Sequence, residues 1–184
     1  MLKRVANLTL HLSISILVCI SSQYICAGQG QTLLKSTINL VPSCLINSTS
    51  YGQGQNNLDL GELNFGQQSI YFNTANATLA NQHNAIRINC PLNTLVSLNL
   101  NGGVNSSHTL SQNASDRAMS NGSGKYIAYK IYKDNQNGQL LTPQVNISLN
   151  GGVTHEIKLY AEAYNNNSVV VGQYTDQVTI TITF

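Results

Sequence analysis

The last eleven residues of the chain, YTDQVTITITF (174–184), alternate more strictly between apolar and polar side chains than any other stretch. Val178, Ile180, Ile182 and Phe184 fall on one face, and polar residues fall between them on the other. This two-residue period is that of a β-strand with one buried and one solvated face. Threonine and isoleucine also fit a pleated surface well. The ending therefore predicts a strand in a sheet that is covered on one side.

The same period recurs upstream, in short runs separated by turn signals such as the two NGG sequences. No stretch longer than a turn shows the three-and-four spacing of an amphipathic helix. Short alternating strands with polar turns predict an all-β fold, an antiparallel sandwich with one solvated face on each sheet. The runs are AIRINC (85–90), TLVSLNL (94–100), YIAYKIY (126–132), QVNISL (144–149) and HEIKLYAEAY (155–164).

The first 27 residues, MLKRVANLTLHLSISILVCISSQYICA, have the composition of a secretory signal peptide. Basic residues come first, an apolar core follows, and small residues surround Ala27, so we expect cleavage after Ala27 or Gly28. The core, Ile14–Ile20, is shorter than the roughly 20 apolar residues that span a bilayer. We expect an exported protein without membrane insertion, whose remaining length of about 157 residues suits one domain.

Loss of this leader changes the charge balance. The nine Lys and Arg become seven because Lys3 and Arg4 leave, while all seven Asp and Glu remain. A chain with no net charge and few charges of either sign offers phosphate groups little to bind. The composition therefore argues against nucleic acid and anionic membrane surfaces as partners.

Two of the four cysteines, Cys19 and Cys26, lie in the leader, which leaves Cys44 and Cys90. An exported protein meets an oxidising compartment, so we predict a disulfide between Cys44 and Cys90. It closes a loop of about 45 residues and should contribute on the order of 4 kcal/mol. A metal site would need further ligands, and the histidines of the mature chain lack ligand spacing. We expect no metal and no cofactor.

The sequence also lacks the usual signatures of catalysis. Its acidic residues fall mostly at turns or on the outward side of predicted strands, where solvated charges are expected. No GxSxG, HExxH or glycine-rich phosphate loop is present. We therefore predict that the protein is not an enzyme; a small exported hydrolase would need at least two acidic or histidine groups converging in one pocket.

The start of the mature chain, QTLLKSTINLVPSC (31–44), has strand periodicity too. Leu34, Ser36, Ile38 and Leu40 fall on one side. Chain termini are usually loose unless something holds them, so this segment either pairs within its own domain or serves another one. Periodicity does not separate these two alternatives, because both bury the same face.

Several stretches together resemble the spore coat protein U domain, a family of archaic chaperone-usher pilus subunits from Gram-negative bacteria. The order of these stretches, the cysteine before NFG, the cysteine that closes IRINC and the Tyr-x-Asp of the last strand make the resemblance specific. It covers nearly the whole mature chain. The stretches are VPSCLIN (41–47), GELNFG (61–66), AIRINC (85–90), DRAMSNGSGKYIAYKIYKD (116–134) and GQYTDQVTITITF (172–184).

The resemblance implies an immunoglobulin-like sandwich (42–184) that lacks its final strand, preceded by an N-terminal donor-strand extension (28–41). Leu34, Ile38 and Leu40, with Ser36 as a small spacer, would plug the groove of a neighbouring subunit by strand addition. Implied partners are neighbouring subunits joined head to tail, a periplasmic chaperone and an outer-membrane usher. The implied location is a pilus on the cell surface, reached through the periplasm, with a role in adhesion or biofilm formation.

A secreted carbohydrate-binding sandwich is the alternative. It would use tyrosines and asparagines around Tyr164–Asn167 to hold sugars. A cluster of aromatic side chains around a concave polar site would favour this function. A long apolar cleft between the sheets would favour the pilus subunit.

Overall fold

The computed structural model describes residues 33–55, 58–108, 117–165 and 168–184. The predicted signal peptide (1–27) and residues 28–32 of the predicted extension lie outside these ranges. Within them, strands and turns are the rule, and a short 3₁₀ turn is the only helical element. No helix of the described chain is long and apolar enough to cross a bilayer. The strands are β1 (Ser43–Ile46), β2 (Thr49–Gly52), β3 (Glu62–Leu63), β4 (Thr74–Ala80), β5 (Ile86–Asn89), β6 (Leu95–Leu100), β7 (Arg117–Ser120), β8 (Tyr126–Lys133), β9 (Asn146–Asn150), β10 (Thr154–Ile157), β11 (Leu159–Tyr164) and β12 (Ile180–Thr183).

The described strands form three hydrogen-bonded sheets, and every pair is antiparallel. Their orders are β10-β5-β1-β2, β3-β4-β11-β8-β7 and β12-β6-β9. Most neighbours within a sheet are not consecutive along the chain, so the connections cross between sheets. This arrangement is the one expected for a sandwich whose strands are joined over its ends.

One hydrophobic core lies between the sheets and receives side chains from all three. Its members come from alternate positions, as the two-residue period predicts. In β4, for example, Ala75, Ala77 and Leu79 are buried while the residues between them are exposed. The predicted fold class, an all-β antiparallel sandwich, is confirmed.

The predicted disulfide is confirmed as well. Cys44 and Cys90 are bonded, with their Cα atoms 4.3 Å apart. Leu45 of β1 pairs with Asn89 of β5, so the two cysteines occupy the next pair of opposite positions. Both are buried in the core. The disulfide therefore clamps the start of the first strand to its neighbour.

Residues 33–42, ahead of β1, form no regular secondary structure. The contacts within the chain divide it after Ile38, and all strands belong to the second unit, residues 39–184. Leu34, Ile38 and Leu40 are 91%, 80% and 85% exposed, and Ser36 is exposed too. The strand predicted for this segment is not formed here. Its role as a donor strand, and the boundary at residue 42, stay predictions.

Candidate strand-binding groove

The last strand pairs with another described strand along one edge only, and at its end the Phe184 carbonyl accepts a hydrogen bond from the Gln53 side chain at 2.8 Å. The strand pairs with β6, and the Asn101 N–H donates to the Thr179 carbonyl at 2.9 Å. Because successive residues of an antiparallel strand direct their backbone groups to opposite edges, those of Ile180 and Ile182 point away from β6. No described strand pairs with β12 on that edge. The edge is therefore open to another strand.

A groove of about 1240 Å³ runs along this open edge. The segment 174–184 forms one wall, and residues from the ranges 51–55 and 58–65 form the other. The floor is apolar because it consists of buried core side chains. These side chains are Ile46, Leu79, Leu100, Tyr129, Ile131 and Leu159. A long cleft with an apolar floor, the feature that would favour a pilus subunit, is thus present, and polar residues of both walls also line it.

The inward face of the last strand is incompletely covered. Val178, Ile180, Ile182 and Phe184 pack against the core as the sequence predicts, yet each stays half-buried. By contrast, the inward side chains of β6 are at most 3% exposed. A strand that has a neighbour on just one side lacks the contacts that a second neighbouring strand would supply. The sandwich therefore has room for one more strand in this groove.

One end of the groove is polar. Asp176 lies in the same inward-facing row as the apolar residues of the last strand. Its Oδ2 accepts a hydrogen bond from the Tyr129 hydroxyl at 2.7 Å, and its Oδ1 accepts from the Val104 N–H at 3.1 Å and the Asn105 side-chain amide at 3.0 Å. Gly103, at φ +81°, approaches so closely that a Cβ atom would collide with the carboxylate. Asp176 is therefore fixed in place.

Arg117 lies beneath this end and is fully buried. Its guanidinium donates to the carbonyls of Asn101 and Leu141 at 2.8 Å each, and to that of Leu100 at 3.3 Å. A buried carbonyl without a donor is costly, so one side chain satisfies three backbone groups where the strands separate. Arg117 thereby holds β6 and the segment around Leu141 together under the groove.

Burial also controls protonation here. Desolvation raises the pKa of Tyr129, and the negative charge and hydrogen bond of Asp176 raise it further, so the phenol stays a neutral donor. Desolvation lowers the pKa of Arg117, while the negative charge of nearby Asp176 opposes that change. The groove combines an apolar floor with a rigid, hydrogen-bonded polar end.

The sequence analysis gave no structural role to Asp176 or Arg117, the two charged residues of this polar end. It assigned the acidic residues mostly to turns and outward faces, and Asp176 is an exception because it shares the parity of Val178 and faces inward. That parity was a usable signal. Arg117 stands directly opposite Tyr129 in the β7–β8 pair, which periodicity in a four-residue strand does not reveal.

The tyrosine region named for the alternative function is arranged differently from a sugar platform. The Tyr164 hydroxyl donates to Glu162 at 2.8 Å, and the Lys130 ammonium lies 5.3 Å from the centre of the Tyr164 ring. That ring face is therefore in contact with a cation instead of being open for stacking. Residues 166–167 of this region lie outside the described ranges. In the described chain, no three His, Cys, Asp or Glu side chains are grouped to hold a metal ion.

Comparison with known proteins gives one family match. The model of the Spore Coat Protein U domain matches residues 31–181. No curated protein matches the chain.

Solved structures with a similar arrangement come from chaperone-usher pili. The CsuC–CsuE chaperone–tip adhesion subunit complex of the archaic Csu pili of Acinetobacter baumannii is 19% identical over 79% of this chain, with a TM-score of 0.45. This chain spans 40% of the length of that one. A chaperone-usher pilus structure is 14% identical over 86% of this chain and 96% of its own, with a TM-score of 0.45. The P pilus rod subunit PapA is 15% identical over 76% of this chain and 97% of its own, with a TM-score of 0.48.

Proposed function

Since this chain belongs to the Spore Coat Protein U domain family, we propose that it is a structural subunit of an archaic chaperone-usher pilus. Subunits join by donor-strand complementation, in which residues 28–41 of one subunit enter the groove of its neighbour. The pilus reaches the cell surface through the periplasm and serves adhesion or biofilm formation. The role is structural and involves no catalysis. The observation that carries the proposal is the open apolar groove along the unpaired edge of the last strand.

The proposed occupant matches the groove in length and pattern. From Leu34 to Leu40 the segment covers six residue steps, about 20 Å when extended. The apolar row from Val178 to Phe184 covers the same six steps. Large exposed hydrophobic side chains are also concentrated between residues 33 and 41. Such a row of unburied aliphatic side chains is typical of a segment that awaits a partner.

Insertion of the donor segment would stabilise both the segment and the groove that receives it. Burying an aliphatic side chain contributes roughly 1.5 to 3 kcal/mol, and the segment offers Leu34, Ile38 and Leu40. The new ladder also supplies partners to the backbone groups of Ile180 and Ile182. Strand addition of this kind draws affinity from main-chain pairing and specificity from alternate side chains.

The open groove is also the reason why a chaperone and an usher are proposed as partners. An unpaired, apolar strand edge promotes aggregation, so a periplasmic chaperone is proposed to occupy it before assembly. An outer-membrane usher then exchanges the chaperone for the next subunit. Because each subunit has one donor segment and one groove, the contacts run head to tail without closing, which produces a fibre.

The disulfide has a mechanical place in this scheme. The donor segment continues directly into β1, where Cys44 is bonded to Cys90. Tension along a fibre enters each subunit through this connection. The covalent link passes the force to β5 without relying on the short β1–β5 ladder alone.

The proposal can be tested with one added segment. We define the complemented chain as residues 28–184 followed by a short glycine–asparagine linker and a second copy of residues 28–42. The second copy should fill the groove of its own chain. We therefore expect a monomer with a higher thermal midpoint than the mature chain. The matched control carries serine at Leu34, Ile38 and Leu40 of the second copy, which preserves length and backbone hydrogen bonding.

Size-exclusion chromatography and thermal unfolding measure the outcome. Equal midpoints for the complemented chain and its serine control would contradict donor-strand complementation. A mature chain that is monomeric and stable without any added segment would instead support the secreted carbohydrate-binding alternative. As a second test, a chain without residues 28–41 should fold with its co-expressed chaperone but fail to enter fibres. Failure to fold would indicate that the segment is a strand of its own domain.

A further inference from the structure

We infer that Asp176 fixes the register of the incoming strand, with Pro42 of that strand placed opposite it. This inference rests on the proposed donor-strand function and specifies which donor residue meets which groove residue. It assigns a specificity role to the polar end of the groove, which contributes nothing to apolar binding.

The groove side sets one limit. Reading back from the C-terminus, the inward row is apolar at four successive positions and then reaches Asp176. Its carboxylate is held by Tyr129 and by the 103–105 loop, so it cannot turn away. An aliphatic side chain placed against it would remove water from a charged group without supplying a hydrogen bond, which is unfavourable. The apolar face of the donor must therefore end before Asp176.

The donor side sets a matching limit. Its inward positions are Leu34, Ser36, Ile38 and Leu40, and the next inward position is Pro42. Proline has no N–H to donate to a ladder, so it ends strand pairing. On the donor, four inward positions therefore come before the proline at which pairing stops. In the groove, four apolar positions likewise come before the carboxylate when the row is counted from the C-terminus.

Aligning the two limits defines one register. We take the strands as antiparallel, because every described pair in this fold is antiparallel and such pairing is the more stable. A slip of one residue would turn the aliphatic side chains away from the core. A slip of two residues would place Leu40 against the carboxylate. The resulting pairs are Pro42–Asp176, Leu40–Val178, Ile38–Ile180, Ser36–Ile182 and Leu34–Phe184.

Disulfide trapping in the complemented chain reads this register directly. With cysteine at Leu40 of the second copy and at Val178, the Cα atoms should lie about 5.5 Å apart, within bonding range. Cysteine at Ile38 of the second copy and at Val178 is the matched control pair. Those Cα atoms should lie about 9 Å apart, beyond the limit of about 7 Å. We expect the first pair to crosslink and the second to remain reduced.

The role of Asp176 is tested by repeating the experiment in two variants. Asp176→Leu removes the barrier, so the strand can slide by two residues and the Ile38–Val178 pair should begin to crosslink. Asp176→Asn keeps a polar group of the same shape and should preserve the original pattern. An unchanged pattern in Asp176→Leu, or equal crosslinking of both pairs in the unmodified groove, would overturn the inference.

A donor-only comparison covers the case in which Asp176→Leu fails to fold. Pro42→Leu in the second copy extends the apolar face to Asp176, whereas Pro42→Asn offers that carboxylate a hydrogen-bond donor. We expect the leucine variant to unfold at a temperature several degrees lower. An equal or higher midpoint for leucine would contradict the register. A complemented chain that is no more stable than its serine control would instead refute the proposed function itself.

Discussion

Replacing Ile38 of the second copy with alanine should destabilise the complemented chain by about 2.4 kcal/mol. The substitution removes three carbon atoms, each worth about 0.8 kcal/mol when buried. Ile38 is 80% exposed in the free segment, so nearly all of this contribution arises on insertion. For a domain of this size, 1 kcal/mol shifts the thermal midpoint by about 2 to 4 °C, which predicts a loss of about 5 to 10 °C.

Thermal and urea unfolding of the complemented chain provide the assay, with two controls. Thr37→Ala in the second copy alters a neighbouring side chain of opposite parity, which should face solvent. Ile38→Ala in the first copy alters the same side chain where it stays exposed. Substitutions at exposed sites usually change stability by less than about 0.5 kcal/mol, so both controls should match the parent.

The pattern across these three variants carries the test. Equal losses from Ile38→Ala and Thr37→Ala in the second copy would refute the assigned face. A large loss from Ile38→Ala in the first copy would indicate that this segment already packs within its own domain, and the reasoning on donation would fail.

Three further predictions concern the body of the sandwich. Arg117→Lys should lower the free energy of unfolding by about 2 kcal/mol or more in a urea titration, because one ammonium cannot reach the three carbonyls that the guanidinium satisfies; an unchanged midpoint would contradict this role. Replacing Cys44 and Cys90 together with serine should remove about 4 kcal/mol, and reduction of the parent should give the same loss. Because the pKa of Tyr129 is raised in the folded protein, its contribution to folding stability is complete below pH 10, the ordinary tyrosine pKa. Above pH 10 this contribution is lost as pH rises, because the tyrosine of the unfolded chain ionises first. Between pH 9 and 11 this group should account for a loss of about 1.4 kcal/mol, absent in Tyr129→Phe and retained in the exposed control Tyr71→Phe; identical pH profiles for the two variants would exclude it.

Local pattern was sufficient for much of the fold. The strands β5, β6, β8, β9 and β12 lie where two-residue alternation predicted runs, whereas the predicted run 155–164 divides into β10 and β11, which belong to different sheets. The Cys44–Cys90 bond followed from counting the cysteines that remain after the leader. The confirmed features depend on residues close in sequence or on simple elimination, which explains why sequence reasoning predicted them correctly.

The polar end of the groove depends on contacts between distant parts of the chain. Asp176 is bonded to Tyr129, 47 residues away, and to Val104, 72 residues away. Alternation identifies Asp176 as inward-facing but gives no indication of its partners. The functions of Arg117 likewise arise from carbonyls that the fold brings together.

The N-terminal segment illustrates a different limit. Its alternation predicts a strand, yet residues 33–42 form none in the structure. Periodicity records which side chains are to be buried, and it carries no information about the molecule that buries them. A donor segment and an intrachain first strand have the same pattern, so the distinction has to come from the groove.

The most direct test of the central idea asks whose groove the segment fills. Fibres assembled from an equal mixture of two chains, one with Ile38→Cys and the other with Ile180→Cys, would be oxidised and separated on a denaturing gel. The account predicts disulfide-linked dimers that contain one chain of each kind. If the two cysteines bond only when both are placed in the same chain, the segment completes its own sandwich and the account is contradicted.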